Sequence, residues 1–513
     1  MAIHERKSIS PIKLVFEIIV SIILIVFQLF IYYLAFIGSL SVPYIEIISL
    51  CVAFILVVHL YNGNDNVSYK LTWTIVILLF NVAGPLFYIF FGGGNNLPKR
   101  KYRKISGYLN NYVQPNDNFE KLKEVDIDAY KFSKLVHKNT GLYLYVNQGD
   151  WFYNDGALMF EEMLKEIDNA KKYIFLEYFI IASGTMFDRL YEHLKMASQR
   201  NIEIKILYDY VGCNIPKVLS RKDLKRLISL DNTLVASYNP FGVNLNLGIN
   251  YRDHRKILLI DGDTAFVGGI NIADEYIHEK IRFGFWRDNG MKIKGDACYN
   301  YLLIFAQNWY MSTKSVLEIN NYKSHNPHTD LQGYVLPFGD GPNNRLNPAY
   351  DLYTQMIAGA KKSIFISTPY FVIDNEFVKL IIKQIKVGID VSILVPEIAD
   401  KKTVFFMAQS NFEKILKAGG KIYQLKSGFN HAKTLVVDEK YAIVGTINID
   451  YRSMFLHFEC CNLLIDTPSI KDISQDFKNV ILESTLMDFQ KTKKRNIFVK
   501  LFEFIVSILG PLV

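Results

Sequence analysis

Charge is scarce in this 513-residue chain: Asp, Glu, Lys and Arg make up 21% of it, against 50% hydrophobic residues. That shortage excludes a disordered or fully solvated chain and implies contact with lipid. Cysteine is sparse as well, and the five present (Cys51, Cys213, Cys298, Cys460, Cys461) show neither CxxC spacing nor a cysteine–histidine ligand pattern. A disulfide scaffold and a structural zinc site are thereby excluded, and reduced thiols are expected. The glycines at 92–94 lack the lysine and serine of a phosphate loop, so no nucleotide site is expected there. Neither sign of charge dominates: 58 Lys+Arg against 50 Asp+Glu leave +8. That mild excess suits an anionic membrane surface or a phosphate-bearing substrate; no RNA or DNA module is present, and no nucleic-acid partner is expected.

Long apolar runs are abundant at the N-terminus. Leu14–Ile37 and Leu71–Phe91 are each long enough to cross a hydrocarbon core about 30 Å thick. No small-residue cleavage site follows the first, so it reads as a retained span rather than a signal peptide. Between them Ile45–Leu60 is shorter and reads either as a span or as a re-entrant piece. Lys99, Arg100, Lys101, Arg103 and Lys104 follow the third run, whereas Arg6, Lys7 and Lys13 precede the first. Positive flanks stay inside, which predicts a multi-pass cell-membrane protein with residues 1–98 as its membrane region and the remainder on the cytoplasmic side. The C-terminal stretch 496–513 is apolar beside the basic KTKKR at Lys491–Arg495. It reads as a helix lying in the membrane interface or packed on the soluble core.

The soluble part is an internal repeat. AKKYIFLEYFI from Ala170 is echoed by AKKSIFISTPYF from Ala360, and each strand-like run leads into a helical stretch and a second apolar strand. This predicts a β-α-β unit in each half, with halves over 99–330 and 331–495. Each half then carries a hairpin, turning at Asp261–Gly262 and at Asp438–Glu439.

Those hairpins carry the chemistry. HxKxxxxD followed by G[GT]xN occurs as His254, Lys256, Asp261, Gly268, Gly269 and Asn271, and again as His431, Lys433, Asp438, Gly445, Thr446 and Asn448. Residues i and i+2 of a strand share a face, so each half offers an imidazole, an ammonium and, from the returning strand, an amide. Two such halves face to face form a cradle for a tetrahedral anion, and a phosphodiester fits. One neutral imidazole attacks phosphorus while the other, protonated, serves the leaving alkoxide. The lysines, with Asn271 and Asn448 as phosphate ligands, stabilise the non-bridging oxygens. No metal or other cofactor is required by this scheme.

These residues resemble the duplicated HKD motifs of the phospholipase D superfamily. Further segments that carry the resemblance are EYFI at Glu177, WRD at Trp286–Asp288, STPYF at Ser367 and GTINIDYRSMFLHFE ending at Glu459. The resemblance implies an α/β fold of two phospholipase D-like domains related by a pseudo-twofold, with mixed sheets flanked by helices, behind two or three transmembrane helices. It implies a phosphohistidine on His254, with His431 as acid and base. It further implies a carboxylate behind each imidazole, by position Asp288 for His254 and Glu459 for His431. Asp261 and Asp438 belong to the signature but fall at the hairpin turns, where a structural role is expected. The implied activity is that of the branch that joins two phosphatidylglycerols into cardiolipin and glycerol. Phosphatidylglycerol and cardiolipin are then the only expected partners, with no protein partner. The alternatives are a phospholipid hydrolase, transfer to another alcohol, and a catalytically silent scaffold that binds anionic lipid.

Overall fold

Runs of β-branched and aromatic residues that alternate with amphipathic helices become the buried strands and covering helices of an α/β fold, in a computed structural model that describes residues 23, 26–30, 32–34, 42–63, 66–80, 82–92, 99–214, 218–240, 251–344, 346–426, 428–493, 496–508 and 510. The chain divides into two units: Met1–Leu97 with Pro240–Asn250 and Ile508–Val513, and Pro98–Asn239 with Tyr251–Ser507.

In the first unit, the run expected to be too short for certainty is the one helix among the described residues long and apolar enough to cross a membrane. Val42–Asn62 extends Ile45–Leu60 at both ends to 21 residues, about 31 Å of helix. The single span expected over Leu71–Phe91 is instead broken into two helices, Val67–Leu79 and Ala83–Phe91, each too short to cross. Two things make the break: Pro85 has no N–H with which to continue the hydrogen-bond ladder, and the Val82 and Ala83 N–H groups at the start of the second helix donate to the Gln28 side chain at 3.1 and 2.9 Å. Gly84 lets the second helix fold back closely, since a Cβ there would lie 2.3 Å from the Val76 carbonyl. Trp73, Ile77 and Tyr88 pack with Ala53 and Leu60 in the resulting core. Most of Leu14–Ile37 lies outside the described residues.

The second unit contains two sheets of matching order. The first runs Asp150–Tyr153, Gly290–Lys294, Thr264–Gly268, Lys256–Ile260, Tyr173–Tyr178, Glu203–Asp209, Thr233–Tyr238. The second runs Tyr145–Val146, Tyr334–Asp340, Glu459–Ile465, Tyr441–Gly445, Thr434–Val437, Ser363–Ser367, Asp390–Pro396, Lys421–Leu425, Ser484–Leu486. Both sheets are mixed. Tyr173–Tyr178 pairs parallel with Glu203–Asp209 across helix Thr185–Gln199, and Ser363–Ser367 pairs parallel with Asp390–Pro396 across helix Asn375–Lys386. The hairpin strands pair antiparallel. These are the two β-α-β units and two hairpins expected from the repeat.

Each hairpin turn is held by its aspartate. Asp261 (φ +53°) and Asp438 (φ +57°) adopt left-handed backbone, tolerated by aspartate better than by bulkier residues. The Asp261 carboxylate accepts from the N–H groups of Lys171, Lys172 and Tyr173 at 2.8–2.9 Å. Asp438 does the same for Lys361, Lys362 and Ser363 at 2.7–3.0 Å. Both motif aspartates therefore pin the hairpin to the start of its neighbouring strand, the structural role expected of them.

The halves are stitched by backbone. Gly428–Asn430 of the second half pairs parallel with Phe285–Arg287 of the first, and Asp253 forms the corresponding bridge with Phe458. Tyr145–Val146 crosses over to pair with Tyr334–Val335 at the edge of the second sheet.

Candidate active site

These two seams bring each histidine into the other half. The His254 N–H donates to the Phe458 carbonyl at 2.9 Å, and the His431 N–H donates to the Arg287 carbonyl at 2.7 Å. The next residue along each receiving segment is a carboxylate. Glu459 lies 2.9 and 3.0 Å from His254 Nδ1, and Asp288 lies 2.5 Å from His431 Nδ1. The pairing expected by sequence position, Asp288 with His254 and Glu459 with His431, is thus reversed. Each half supplies the carboxylate for the other half's imidazole, because the pseudo-twofold exchanges the segments at the seam.

A carboxylate accepts only, so each Nδ1 carries the proton and each Nε2 keeps its lone pair. The paired groups are buried: Asp288 and Glu459 are sealed off and the two imidazoles retain a small opening. Aromatic rings enclose them. Phe179 meets His254 edge-on with ring centres 5.0 Å apart, and Trp286 and Tyr276 lie 5.3 and 5.7 Å from the His431 ring.

Lys256 begins its hairpin strand and Lys433 stands one residue before Thr434–Val437, and both histidines stand before the regular pairing. Lys256 Nζ donates to the His254 carbonyl at 2.6 Å, and Lys433 Nζ makes the same contact with the His431 carbonyl. Burial pushes Lys256 down to about 7 and Lys433 to about 8. Burial likewise drives His254 well below the ordinary imidazole range, reinforced by Lys256 and, from the other half, by Lys433 and His431. His431 is pushed down to about 4, first by burial and then by Lys433, against the pull of Asp288. The two motifs thus act on each other's protonation, as groups around one cavity must.

The asparagines stand beyond the ends of the returning strands, not on them, and they differ. Asn271 accepts from the Ile180 N–H at 3.1 Å and donates to the Tyr276 hydroxyl at 2.8 Å, leaving one amide N–H for a ligand. The Asn448 Oδ1 is buried without a hydrogen-bond partner. Three contributors have roles that the sequence did not reveal, although Thr446 stands in the repeated motif. Arg255 spans the seam, donating to the Glu459 carbonyl at 3.1 Å and pairing with Glu177 at 3.4 Å. Thr446 donates its hydroxyl to Glu459, and the His457 ring lies tilted beside His254 with ring centres 5.5 Å apart. Only their neighbours in space, set by the seam, give them a place at the site.

Known proteins resemble this chain in sequence and in fold. The family model described as cardiolipin synthase, PLD-like domain matches residues 163–282 and 353–481, and the Phospholipase D-nuclease N-terminal model matches 51–93. A Streptococcus mutans protein described only as uncharacterized is 35% identical over 89% of this chain and 99% of its own length. Cardiolipin synthase 2 of Bacillus anthracis is 33% identical over 90% of both chains. Among solved structures, phosphatidylserine synthase of Haemophilus influenzae superposes with a TM-score of 0.58 at 15% identity over 75% of this chain and all of its own, a likeness of fold. With its N-terminal unit marking membrane association, the chain belongs to the cardiolipin synthases of the phospholipase D superfamily.

Proposed function

We propose that this protein transfers a phosphatidyl group from one phosphatidylglycerol to the hydroxyl of another, giving cardiolipin and free glycerol through a phosphohistidine on His254. The observation that carries this reading is the crossed pair of carboxylate–imidazole contacts, His254 with Glu459 and His431 with Asp288. His254 Nε2 attacks phosphorus as the bond to the glycerol oxygen breaks, and the His431 imidazolium gives that oxygen its proton. The second phosphatidylglycerol then returns a proton to neutral His431 as its oxygen attacks phosphorus and the P–N bond breaks. Both side chains end as they began.

The unequal surroundings support the division of labour. Burial and the neighbouring lysines keep His254 unprotonated, which suits a nucleophile, whereas Asp288 supports a proton on His431. An anionic phosphodiester entering between them favours that proton further. Lys256 and Lys433, with Asn271 and Asn448, are the groups assigned to the non-bridging oxygens.

The same reading assigns 1–98 to the membrane, 99–330 and 331–495 to the two phospholipase D-like halves, and 496–513 to an interfacial helix. That assignment for the C-terminus is supported by helix Ile497–Ile508, on which Phe498, Leu501 and Phe502 are exposed. With Val42–Asn62 as one span, Leu14–Ile37 as the other and the broken pair after Val67 not crossing, both basic flanks fall on the cytoplasmic side. The test of function is incubation of the purified chain with phosphatidylglycerol labelled in its headgroup. Cardiolipin and released glycerol in equal amounts are expected; phosphatidic acid without cardiolipin contradicts the reading.

A further inference from the structure

His457 has no part in the transfer, yet it stands at the core of the site. Both of its ring nitrogens are buried without a hydrogen-bond partner, an arrangement that costs free energy unless something else occupies them. Its Nδ1 lies 3.8 Å from Glu459 Oε1, too far for a hydrogen bond, while His254 Nδ1 lies 2.9 Å from the same oxygen. One donor atom from each of His254, His457 and Glu459 falls within 4.8 Å of the others. Two ligands on a tetrahedral zinc at about 2.05 Å are separated by roughly 3.3 Å, between the two distances found here. Two imidazoles and one carboxylate are a donor set that zinc accepts, with a fourth position left open.

We propose that His254, His457 and Glu459 form an inhibitory site for a divalent transition-metal ion of the zinc type. The inhibition rests on the reading above that His254 reacts through Nε2. In the metal-free site Nδ1–H points at Glu459, and the Nε2 lone pair faces the substrate. An ion that takes the Nδ1 lone pair leaves the single ring proton on Nε2. The ring stays neutral, the proton has moved from one nitrogen to the other, and the nitrogen that must attack phosphorus has become a donor. Glu459 is withdrawn at the same time, so the imidazole loses the contact that fixed its tautomer. Lys256 and Lys433 oppose a cation in this cavity, so the ion is held reversibly and a chelator restores activity.

The test uses the full chain in detergent with phosphatidylglycerol, in chelator and with added Zn²⁺, alongside Co²⁺ absorption as a readout of ligation that does not depend on turnover. Wild type is expected to show the ligand-field bands of one bound Co²⁺ and to lose cardiolipin formation as Zn²⁺ rises. His457→Asn is expected to lose the bands and, relative to its own metal-free rate, to need about 10-fold or more Zn²⁺ for half inhibition. His457→Gln provides the same comparison in a second background. Absence of Co²⁺ bands in wild type, unchanged Zn²⁺ sensitivity in both variants, or activity that requires Zn²⁺ overturns the proposal. Bands lost in His457→Asn from a wild-type chain that never makes cardiolipin uphold the metal site and overturn the transfer reading instead.

Discussion

In the first repeat the residue after Gly268 is a second glycine, and a Cβ there would lie 2.0 Å from Asp288 Oδ1. In the second repeat that residue is Thr446, whose hydroxyl reaches Glu459. The shorter carboxylate is thus packed against bare backbone, with one oxygen on the Asn289 N–H at 2.8 Å and the other on His431. The longer one is shared between Thr446 and both near contacts to His254. Two halves with one topology and one motif therefore hold their imidazoles differently. Duplication provides the twofold cradle, and the residues beside the carboxylates make its members unequal, as a reaction with one nucleophile and one proton carrier needs.

The sharpest way to break this comparison is to neutralise each carboxylate. Glu459→Gln and Asp288→Asn should each lower turnover by about 100- to 10,000-fold. They should differ in kind: Glu459→Gln weakens the nucleophile and mainly slows formation of the covalent intermediate, whereas Asp288→Asn slows both its formation and its breakdown, because His431 is the acid of the first step and the base of the second; single-turnover assays read the difference. Gly269→Ser gives the first repeat the second's kind of side chain at a place with no room for it. Displacing Asp288 should cost about 10- to 100-fold in turnover, whereas Thr446→Ala, which removes one hydrogen bond to a carboxylate, should cost about 10-fold.

The pH profile sharpens the same contrast. On the alkaline side, kcat/KM should fall as His431, pushed down in the free enzyme, gives up the proton it must donate, and further as Lys256, held near 7, and Lys433, held near 8, lose their ammonium charge. On the acid side it should fall only below the ordinary imidazole range, because burial keeps His254 unprotonated until then. A profile that stays flat from pH 5 to 9 with chemistry limiting contradicts both limbs. The smallest effect on chemistry is expected at the turns. Asp261→Asn and Asp438→Asn sit at the far ends of their strands, about 16 Å from the lysines at 3.3 Å per residue. Each should lower stability by about 1–2 kcal/mol, as lost capping does, with kcat of the folded protein little changed; thermal unfolding and kinetics on the same samples check this.

Much of this could be read before any coordinates. Alternation of apolar runs with amphipathic helices gave both β-α-β units, Asp261–Gly262 and Asp438–Glu439 marked the turns, and the doubled spacing of histidine and lysine located the site. What escaped was whatever depends on the seam. Sequence order pairs Trp286–Asp288 with its own repeat's histidine, and only the parallel pairing of Phe285–Arg287 with Gly428–Asn430 reveals the exchange. The roles of Arg255, Thr446 and His457 escaped for the same reason. The broken third apolar run escaped differently: Gly84 and Pro85 were visible, but membrane helices tolerate both, and the break depends on Gln28 from a distant stretch.

The most direct test of unequal imidazoles is to find the phosphoryl group in transit. His431→Ala should slow turnover after phosphatidylglycerol labelled at phosphorus has reacted, and rapid alkaline quench followed by peptide mapping should place the label on His254. Label on residue 431 of the wild type, or cardiolipin formed with no labelled histidine at any time, contradicts the account.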